Sequence, residues 1–503
     1  MIANLLIGVD LGTTATKAGL FQLDGVCIAE SRVEVPLHYP HPGAVEQDMD
    51  DFYLSAAEAV RTCLRQSATD PAQVAAMAFD SQMAGIGAVD ESFRPAARFD
   101  SWLDMRCQPY IDQLSRNHGE QITAISGCPP TCDHGPKMMW WRHERPEEYR
   151  RIAKFVAPAG YVAGRVCGTR AGGAFMDSTF LHFTAAADAR RGEWSDTLCG
   201  LLGLEKAKLP RIVEPWQVIG ETTQEAAADF GLRAGTPIAA GCGDTAAGAL
   251  GAGVVRPGML LDTAGTAAVL ACTTDRFVAD TKHRALITMR SVIPGVWNPL
   301  GYVGGGGLAL RWYRDQFQDD SVSYESLCAE ADAVPAGCEG LLFSPHLGGR
   351  ICPASPEMRG AWTGFSWGHS RGHFFRSILE AGAFEYRYYL DILRELLPTV
   401  AAVEARVIGG GAQSALWNQI KADVLGVPYR RIPRQEGATW GAAMVAGKAA
   451  GLIGDLAAHA IKTSPVEARE FVPNQKHAAL YAAASEGQRR WQSTLRREFE
   501  NHE

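Results

Sequence analysis

Two aspartates each follow an apolar run, where a carboxylate is costly unless it binds a cation, accepts hydrogen bonds or transfers a proton. Asp10 follows LLIGV and precedes a Gly-Thr-Thr turn, whereas Asp244 follows TPIAAGCG and opens an Ala/Gly-rich stretch. Beside a turn that could bind phosphate, Asp10 is suited to Mg²⁺, and Asp244 is suited to accept a proton in phosphoryl transfer. The local pattern also allows an Asx turn at Asp10 and a helix N-cap at Asp244.

Three turns rich in glycine follow predicted strands: DLGTT at 10–14, AGT at 264–266 and IGGGAQS at 408–414. In such turns the backbone N–H groups can converge on a phosphate, because no large side chain stands in the way. A single turn of this kind is more typical of a hairpin. Three of them, two in repeated segments of the chain, favour nucleotide binding.

Two other glycine-rich segments resemble nucleotide-binding motifs. Residues 441–448 resemble a Walker A loop. However, five residues separate the first glycine, Gly441, from the Gly-Lys pair at 447–448, and the motif requires four, so this interpretation is rejected. Residues 241–246 read G-x-G-x-x-A, and Asp262 follows at about 20 residues, as in a dinucleotide-binding fold. An NAD-linked dehydrogenase is disfavoured, because Asp244 would place a carboxylate where the pyrophosphate binds.

The elements that must position these residues alternate between strands and helices. The apolar pattern predicts strands at Leu5–Val9, Thr16–Phe21 and Val26–Ala29, with a hairpin turn at residues 24–25. The same order of strand, Asp, Gly-Thr turn and strand returns at residues 259–271, which indicates an internal duplication. Two related α/β domains facing each other across a cleft are the simplest interpretation.

Further segments fit this fold class. Helices are predicted at Met49–Gln66 and Met105–Asn117, and a buried strand is predicted at Val74–Phe79. Beyond Gly454 the chain becomes charged, and its mixed charges favour a solvated terminal helix.

The composition excludes several classes of protein. The 503 residues are 47% hydrophobic and 21% charged, which is typical of a globular chain and not of a disordered or fibrous one. The net charge of −8 argues against a nucleic-acid partner. Twelve cysteines without metal-ligand spacing predict reduced thiols. With neither a signal peptide nor an apolar run of about 18 residues, we expect a cytoplasmic protein with no membrane partner.

Five motifs, in order from Ile7 to about Gly451, resemble those of the FGGY carbohydrate kinases, a family of the actin/hexokinase/Hsp70-like superfamily. IGVDLGTTATKAGLF resembles the first phosphate turn of the family, AGCGDTAAGALGAG its catalytic-aspartate loop, and GGGAQSALWNQIKADVLGVPY its adenosine-binding segment. PKMMWW resembles the K-x-x-W signature, with His134 where a small residue is usual. GAWTGFSWGHSRGHFFRSILE resembles the second family signature, with Phe365 in place of an aliphatic residue.

This resemblance implies an α/β fold of two actin-like (ribonuclease H-like) ATPase domains. It implies phosphorylation of a small carbohydrate at the expense of ATP, with Mg²⁺ as the metal, and by analogy it allows a homodimer. The N-terminal domain would span residues 1–253 and contain the first phosphate turn, the sugar side and the catalytic aspartate. The C-terminal domain would span residues 254–453, and a helical tail would follow at 454–503.

The resemblance also implies roles for individual residues. Asp244 would be the general base that removes a proton from the sugar hydroxyl, and Asp10 would position Mg²⁺ on the phosphates of ATP. The residues expected to bind the nucleotide are Gly12, Thr13, Thr14, Gly265, Thr266, Gly307, Arg311, Gly410, Gly411, Ala412 and Asn418. The residues expected to bind the sugar are Gln82, Met83, Ala84, Trp102, Asp104, Arg106, Asp244 and Thr245.

The identity of the sugar depends on positions where the sequence departs from its relatives. The sequence is most similar to the family members that act on D-xylulose, which makes D-xylulose the first choice and another ketose, polyol or sugar acid the alternative. However, Ala84 replaces a histidine, Thr245 replaces an asparagine, and Arg350-Ile351 stand where relatives have Glu-Arg. Losing an imidazole and an amide removes directional hydrogen bonds and can change selectivity strongly. An alternative from a different functional class is a non-catalytic ATP or sugar sensor, in which Asp244 would be idle.

Overall fold

The computed structural model describes residues 3–318, 322–433 and 437–500. Within these ranges the chain forms two compact units, each assembled from separate segments. The first unit contains residues 3–255, 288–297 and 437–464. The second unit contains the remaining described residues, which lie in 256–287, 298–433 and 465–500.

The first unit is built on a mixed sheet. Leu5–Leu11 pairs antiparallel with Ala15–Phe21 and parallel with Val74–Ser81. Cys242–Gly243 also pairs parallel with Val74–Ser81. The order of the strands across the sheet is Val218–Glu221, Pro237–Ala239, Val74–Ser81, Leu5–Leu11, Ala15–Phe21 and Cys27–Glu34.

Leu5–Leu11 is buried on both faces of this sheet, and its alternate residues face different helices. Leu5, Ile7 and Val9 belong to a hydrophobic cluster that includes buried residues of the helix Met49–Ser67. Gly8 lies instead against the helix Gly437–Ala449. Because side chains alternate along a strand, Asp10 points to the same face as Gly8.

Two glycines allow the elements on this face to pack closely. A Cβ atom at Gly8 would lie 1.8 Å from the carbonyl oxygen of Thr439, and one at Gly441 would lie 2.0 Å from that of Ala247. Both distances are shorter than any real Cβ contact, so only glycine fits at either position. The helix Gly437–Ala449 therefore packs against both the strand Leu5–Leu11 and the helix Asp244–Gly251.

Other elements complete the first unit. Its remaining helices are Gln108–Ser126, His134–Glu144, Pro146–Arg151, Pro158–Val166, Asp196–Leu202, Gln224–Phe230 and Leu456–Thr463. A second sheet has the order Glu46–Gln47, Pro95–Asp100, Ile86–Val89 and Lys154–Val156. Two strand pairs also form, Phe175–Asp177 with Arg211–Val213 and Ala187–Asp188 with Glu193–Trp194.

The second unit repeats the pairing pattern of the first. Met259–Ala264 pairs antiparallel with Ala268–Cys272 and parallel with Glu404–Ile408, as Leu5–Leu11 does with its own two neighbours. The duplication predicted from the sequence is thus present in the backbone. The sheet continues from Ala268–Cys272 to Trp297–Val303 and from Glu404–Ile408 to Tyr429–Arg431 and Glu470–Phe471. The helices are Gly306–Phe317, Tyr324–Asp332, Arg371–Leu396, Ala415–Leu425 and Ala478–Glu500, and the other strands are Leu342–Ser344 and Ala361–Thr363. The strand Ile287–Arg290 falls almost wholly within the segment 288–297 of the first unit.

The predicted elements agree with the structure in their centres and differ at their ends. The strand predicted at Val74–Phe79 continues to Ser81, and the strand predicted at Val26–Ala29 runs from Cys27 to Glu34. The helix predicted at Met105–Asn117 instead spans Gln108–Ser126, with Pro109 in its first turn.

The terminal helix Ala478–Glu500 differs from the expected solvated helix. Tyr481, Ser485, Gln488 and Gln492 are buried along one face. The Tyr481 hydroxyl donates to Glu380 over 3.0 Å, and the Gln492 amide donates to Glu385 over 2.8 Å. The mixed charges of the sequence therefore describe only its outer face.

The two compact units of the structure also differ in their residues from the domains predicted from the sequence. The sequence assigns residues 254–453 to one domain and 454–503 to a tail. In the structure, the helices Gly437–Ala449 and Leu456–Thr463 belong to the first unit, because Gly437–Ala449 packs against its sheet.

Two further observations concern the whole described chain. Among the described residues, no helix combines the length and the apolar character that a membrane span requires. All twelve cysteine side chains are free thiols.

Candidate active site

Three carboxylates come together in the first unit at the ends of neighbouring strands. Asp10 and Asp80 are paired residues on the adjacent parallel strands Leu5–Leu11 and Val74–Ser81. On the other side of Asp80, Cys242 is its partner in the pair with Cys242–Gly243, and Asp244 follows directly after that strand. Paired residues of a parallel sheet point to one face, so Asp10 and Asp80 lie side by side.

Burial and mutual repulsion dominate the electrostatics of this group. Burial first, and then the charge of Asp10, raises the pKa of Asp244 to about 7, against an opposing effect of the hydrogen bonds from Thr245. Burial, followed by the charges of Asp10 and Asp244, holds the pKa of Asp80 well above its usual range. The Lys17 ammonium, 3.9 Å from Asp10, opposes these negative charges.

Asp244 is held by its own neighbours in the chain. It is the first residue of the helix Asp244–Gly251, whose N-cap position belongs to Gly243, so the N-cap alternative does not apply. The Asp244 carboxylate accepts hydrogen bonds from both the backbone N–H and the hydroxyl of Thr245. The backbone N–H of Gly243 donates to the Thr179 hydroxyl over 2.9 Å, which fixes the start of the helix.

The first glycine turn is tied to the loop that was expected to bind the sugar. The Trp102 indole N–H donates to the Thr13 hydroxyl over 2.9 Å, and that hydroxyl donates to Gln82 over 3.4 Å. Gln82 donates to Gln47 over 2.8 Å, and Gln47 donates back to the Thr13 carbonyl over 3.0 Å. Gly12 closes the turn by donating to the Ala15 carbonyl, and Thr14 is exposed.

Asp104 and Arg106 are occupied within their own loop. The Arg106 guanidinium binds Asp104 and Asp100 at 2.8 Å and Glu46 at 2.7 Å, with only 8% of its side chain exposed. Asp104 also accepts the backbone N–H of Val45 over 2.8 Å. These contacts position the loop that holds Trp102, and Trp102 remains partly exposed.

The loop Gln82–Gly85 has a strained backbone at the position of the missing histidine. Ala84 adopts φ 61°, a left-handed conformation that residues with a Cβ rarely adopt. Met83 lies against Gly243, at the start of the helix of Asp244. His134 is fully buried and stacks on Phe180, and burial, reinforced by Lys137, lowers its pKa to about 3, so its imidazole is neutral.

In the second unit, the repeated turn is held by the start of a helix. The backbone N–H groups of Gly307 and Leu308 donate to the carbonyls of Gly265 and Thr266, each over 2.9 Å. A Cβ atom at Gly307 would lie 2.5 Å from the Gly265 carbonyl oxygen. Thr266 is exposed, and so is Arg311 on the helix Gly306–Phe317.

The third glycine-rich turn lies beside the second. Gly409 has φ 89°, and its Cβ position lies 3.0 Å from the Ala264 carbonyl oxygen. Gly410 is exposed with open space around it, whereas Gly411 packs on Trp417. The Asn418 side chain is buried and donates to the Ala412 carbonyl over 2.8 Å, so it fixes the turn. Gly265, Thr266, Gly307 and residues 409–412 are therefore neighbours in the second unit.

Asp262 occupies the position equivalent to Asp10 in the duplicated pattern but has a different environment. It is fully buried, forms an ion pair with the Lys421 ammonium, and accepts the Tyr386 hydroxyl over 2.7 Å. A carboxylate with these partners is a structural element of the second unit. It is not available to a ribose hydroxyl, which further disfavours the dinucleotide interpretation. The Walker-like residues 441–448 lie within the helix Gly437–Ala449 and form no loop.

Comparisons with known proteins place the chain in a family. Residues 5–251 match the N-terminal domain of the FGGY family of carbohydrate kinases, and residues 260–450 match its C-terminal domain. The chain belongs to this family of carbohydrate kinases. The FGGY kinase is 29% identical over 454 residues to a xylulose kinase of Bacillus subtilis (strain 168), with 89% of this chain and 88% of the relative covered.

Two further relatives show the range of similarity. A gluconokinase of Bacillus subtilis (strain 168) is 25% identical over 438 residues, with 84% of this kinase and 83% of the relative covered. The crystal structure of a xylulose kinase from Rhodospirillum rubrum has a TM-score of 0.90 and 26% identity, and covers 99% of this chain and 100% of that chain. The two-domain actin-like ATPase fold expected from the sequence is thus confirmed.

Asp80 is the residue of this site that the sequence analysis did not identify. The signal was available, since Asp80 follows the apolar run VAAMAF as Asp10 follows LLIGV. The strand was predicted to end at Phe79, which left Asp80 outside the element. Its importance becomes visible only with the strand register, which places it between Asp10 and Asp244.

Proposed function

We propose that this FGGY kinase transfers the γ-phosphoryl group of ATP to a hydroxyl of D-xylulose, with Asp244 as the general base. The main support is the state of Asp244, whose pKa of about 7 suits a group that must accept a proton near neutral pH. Burial, followed by the charge of Asp10, keeps this pKa high, and the hydrogen bonds of Thr245 fix the orientation of the carboxylate.

The proposed step moves one proton and one phosphoryl group. The Asp244 carboxylate accepts the proton of the sugar hydroxyl while the hydroxyl oxygen forms a bond to the γ-phosphorus. The bond from that phosphorus to the bridging oxygen of ATP breaks, and ADP leaves with the electron pair. The products are the sugar phosphate, ADP and a proton on Asp244, which then passes to solvent.

The carboxylates of the first unit fit a divalent cation. Mg²⁺ prefers oxygen ligands and binds through one or two carboxylates together with phosphates and water. Asp10 offers such a carboxylate beside the first glycine turn, and the neighbouring Asp80 oxygens are buried without a hydrogen-bond partner. A bound Mg²⁺ would neutralise charge on the phosphate oxygens, and Asp10 would hold it in place.

The turns of the second unit fit the nucleotide. We assign phosphate binding to Gly265 and Thr266, and adenosine binding to residues 410–412. The side-chain amide of Asn418 fixes this segment by donating to the Ala412 carbonyl. The open space at Gly410 leaves room for a flat base. Gly12, Thr13 and Thr14 are assigned to the phosphates from the first unit, and Gly307 and Arg311 to the neighbourhood of the nucleotide.

The choice of D-xylulose rests on the relatives and on the sugar loop. Relatives named xylulose kinase and gluconokinase match the chain at 29% and 25% identity, so sequence similarity ranks D-xylulose first. The assigned sugar contacts are Gln82, Met83, Ala84, Trp102 and Thr245, with Asp104 and Arg106 fixing the loop. The side chain of Ala84 is smaller than the imidazole it replaces, which favours a bulkier polyol or sugar acid as the alternative.

A panel of sugars tests the substrate. ADP release should be measured with D-xylulose, D-ribulose, xylitol and D-gluconate, and each phosphorylated product should be identified by mass spectrometry. We expect D-xylulose to give a kcat/KM at least about tenfold above the others, because unpaired polar groups in the site disfavour analogues. A higher kcat/KM with D-gluconate would replace the substrate while leaving the kinase assignment in place. Nucleotide binding without any phosphorylated sugar would favour the sensor.

A further inference from the structure

Asp80 has no role in the transfer described above, yet it lies between two residues that do. Its side chain is 0% exposed, and neither carboxylate oxygen has a hydrogen-bond partner. Buried carboxylates in folded proteins are normally paired or hydrogen-bonded, because an isolated one is strongly destabilising. A buried carboxyl beside a second carboxylate either shares a proton with it or shares a bound cation with it, and Asp80 lies beside Asp10.

The strand register determines where such a partner would lie. Asp80 is the paired neighbour of Asp10 in the parallel sheet, so the two carboxylates project from the same face of the sheet. Their strands are separated by about 4.8 Å, the usual distance between neighbouring strands. Asp244 lies beyond them, after the strand Cys242–Gly243. The pair of Asp10 and Asp80 is thus flanked by Asp244 on one side, and the Lys17 ammonium lies 3.9 Å from Asp10.

The chemistry of these donors selects a hard divalent cation. Carboxylate oxygens are the ligands that Mg²⁺ and Mn²⁺ take, and two adjacent carboxylates are a common arrangement for them. A soft metal would require thiolates or imidazoles. The Cys242 thiol is in register with Asp80, but burial, followed by the charge of Asp80, raises its pKa well above the usual range, so it stays protonated.

We propose that Asp80 supplies a second carboxylate, beside that of Asp10, to a divalent cation in the first unit. The proposal rests on the proposed function in assigning Asp10 to the metal, and it extends that assignment by one ligand. It also separates the tasks of the three carboxylates. Asp10 and Asp80 hold the cation, and Asp244 remains available to accept the proton.

Binding of Mn²⁺ alone tests this proposal without any turnover. The full chain, freed of metal with a chelator, should be titrated with Mn²⁺, and free Mn²⁺ should be measured by electron paramagnetic resonance. We expect wild-type protein to bind Mn²⁺ and Asp80→Asn to bind it about 10- to 100-fold more weakly. Asp133→Asn is the matched control, since Asp133 is also 0% exposed with both oxygens unpartnered.

A second measurement separates a lost ligand from a damaged fold. Asp80→Asn keeps the size of the side chain, so its metal-free melting temperature should stay within a few degrees of wild type. It should then gain less than wild type from added Mg²⁺. A gain from Mg²⁺ equal to that of wild type would contradict the proposal.

Other outcomes distinguish this proposal from the proposed function. Wild-type affinity in Asp80→Asn, combined with lost binding in Asp10→Asn, would overturn the role of Asp80 and leave that of Asp10. Unchanged binding in both variants would overturn both roles. Equal weakening in Asp133→Asn, or no Mn²⁺ binding by wild-type protein, would also overturn the role of Asp80. None of these outcomes depends on D-xylulose being the substrate.

Discussion

At the scale of single residues, the same motif places carboxylates in two different environments. Asp10 and Asp262 both follow an apolar strand and precede a Gly-Thr turn. Asp262 is neutralised by Lys421 and Tyr386, which come from helices far along the chain. Asp10 has Asp80 as its strand neighbour instead, and we propose that this pair binds a cation. The motif predicts the position of a carboxylate, and long-range partners decide its chemistry.

The pKa of Asp244 leads to a prediction for the pH dependence of the reaction. The group acts as a base only when ionised, and its pKa of about 7 means that it becomes protonated below neutral pH. We expect kcat/KM to fall about tenfold for each pH unit below 7 and to level off above about 8. Initial rates at saturating ATP and low D-xylulose, from pH 5.5 to 9, provide the measurement.

A variant of Thr245 tests whether Asp244 is the group whose protonation lowers kcat/KM below pH 7, which is the inflection of the pH profile. The Thr245 hydrogen bonds lower the pKa of Asp244, so Thr245→Val, which removes the hydroxyl, should move the inflection to higher pH. A kcat/KM that stays constant from pH 5.5 to 8 in wild-type protein would contradict the role of Asp244.

At the scale of elements, the sequence predicted strands better than it predicted which helix covers them. The apolar runs at residues 5–9 and 74–79 are sufficient to predict buried strands, because a strand that is buried on both faces is apolar throughout. The helix Gly437–Ala449 was considered only as a Walker-like loop, since its Ala/Gly-rich sequence lacks an amphipathic pattern. That composition is explained by its packing, which brings it against both Gly8 and the helix of Asp244.

The close approach at Gly8 yields a stability prediction. In Gly8→Ala the new methyl group would meet the Thr439 carbonyl oxygen at 1.8 Å and the Ala443 nitrogen at 2.7 Å, and both are backbone atoms that cannot turn aside. We expect a loss of about 3 kcal/mol or more and a melting temperature lower by several degrees. Differential scanning fluorimetry of purified protein is sufficient for this measurement.

Gly172→Ala is the control for this substitution. Gly172 belongs to the same unit, and its Cβ position has no atom within 4 Å, so the melting temperature should stay close to that of wild-type protein. Equal melting temperatures for the two variants would show that the contact at Gly8 adapts, and the packing argument would be incorrect.

At the scale of the whole molecule, the sequence revealed the duplication, the fold class and the family. The two Gly-Thr turns established the repeat, and motifs distributed from residue 7 to 451 established the family. The composition of each unit could not be predicted in this way. Residues 437–464 join the first unit and residues 465–500 the second through packing between distant segments, which leaves no local pattern in the sequence.

The terminal helix illustrates the same limit. Its charged sequence suggested a solvated surface, but Tyr481 lies in a buried polar network with Arg376 and Glu380. A buried face composed of Tyr, Ser and Gln has little hydrophobic signal. Recognising it required the partner residues on the helix Arg371–Leu396.

The central claim is that Asp244 accepts the proton during transfer from ATP to a sugar. Its most direct test compares wild-type protein with Asp244→Asn, which keeps the size of the side chain and removes its basicity. We expect kcat for sugar phosphorylation to fall at least about 10²- to 10⁴-fold, while the affinity for ADP measured by calorimetry changes less than about threefold. A kcat within tenfold of wild type in Asp244→Asn would contradict the account.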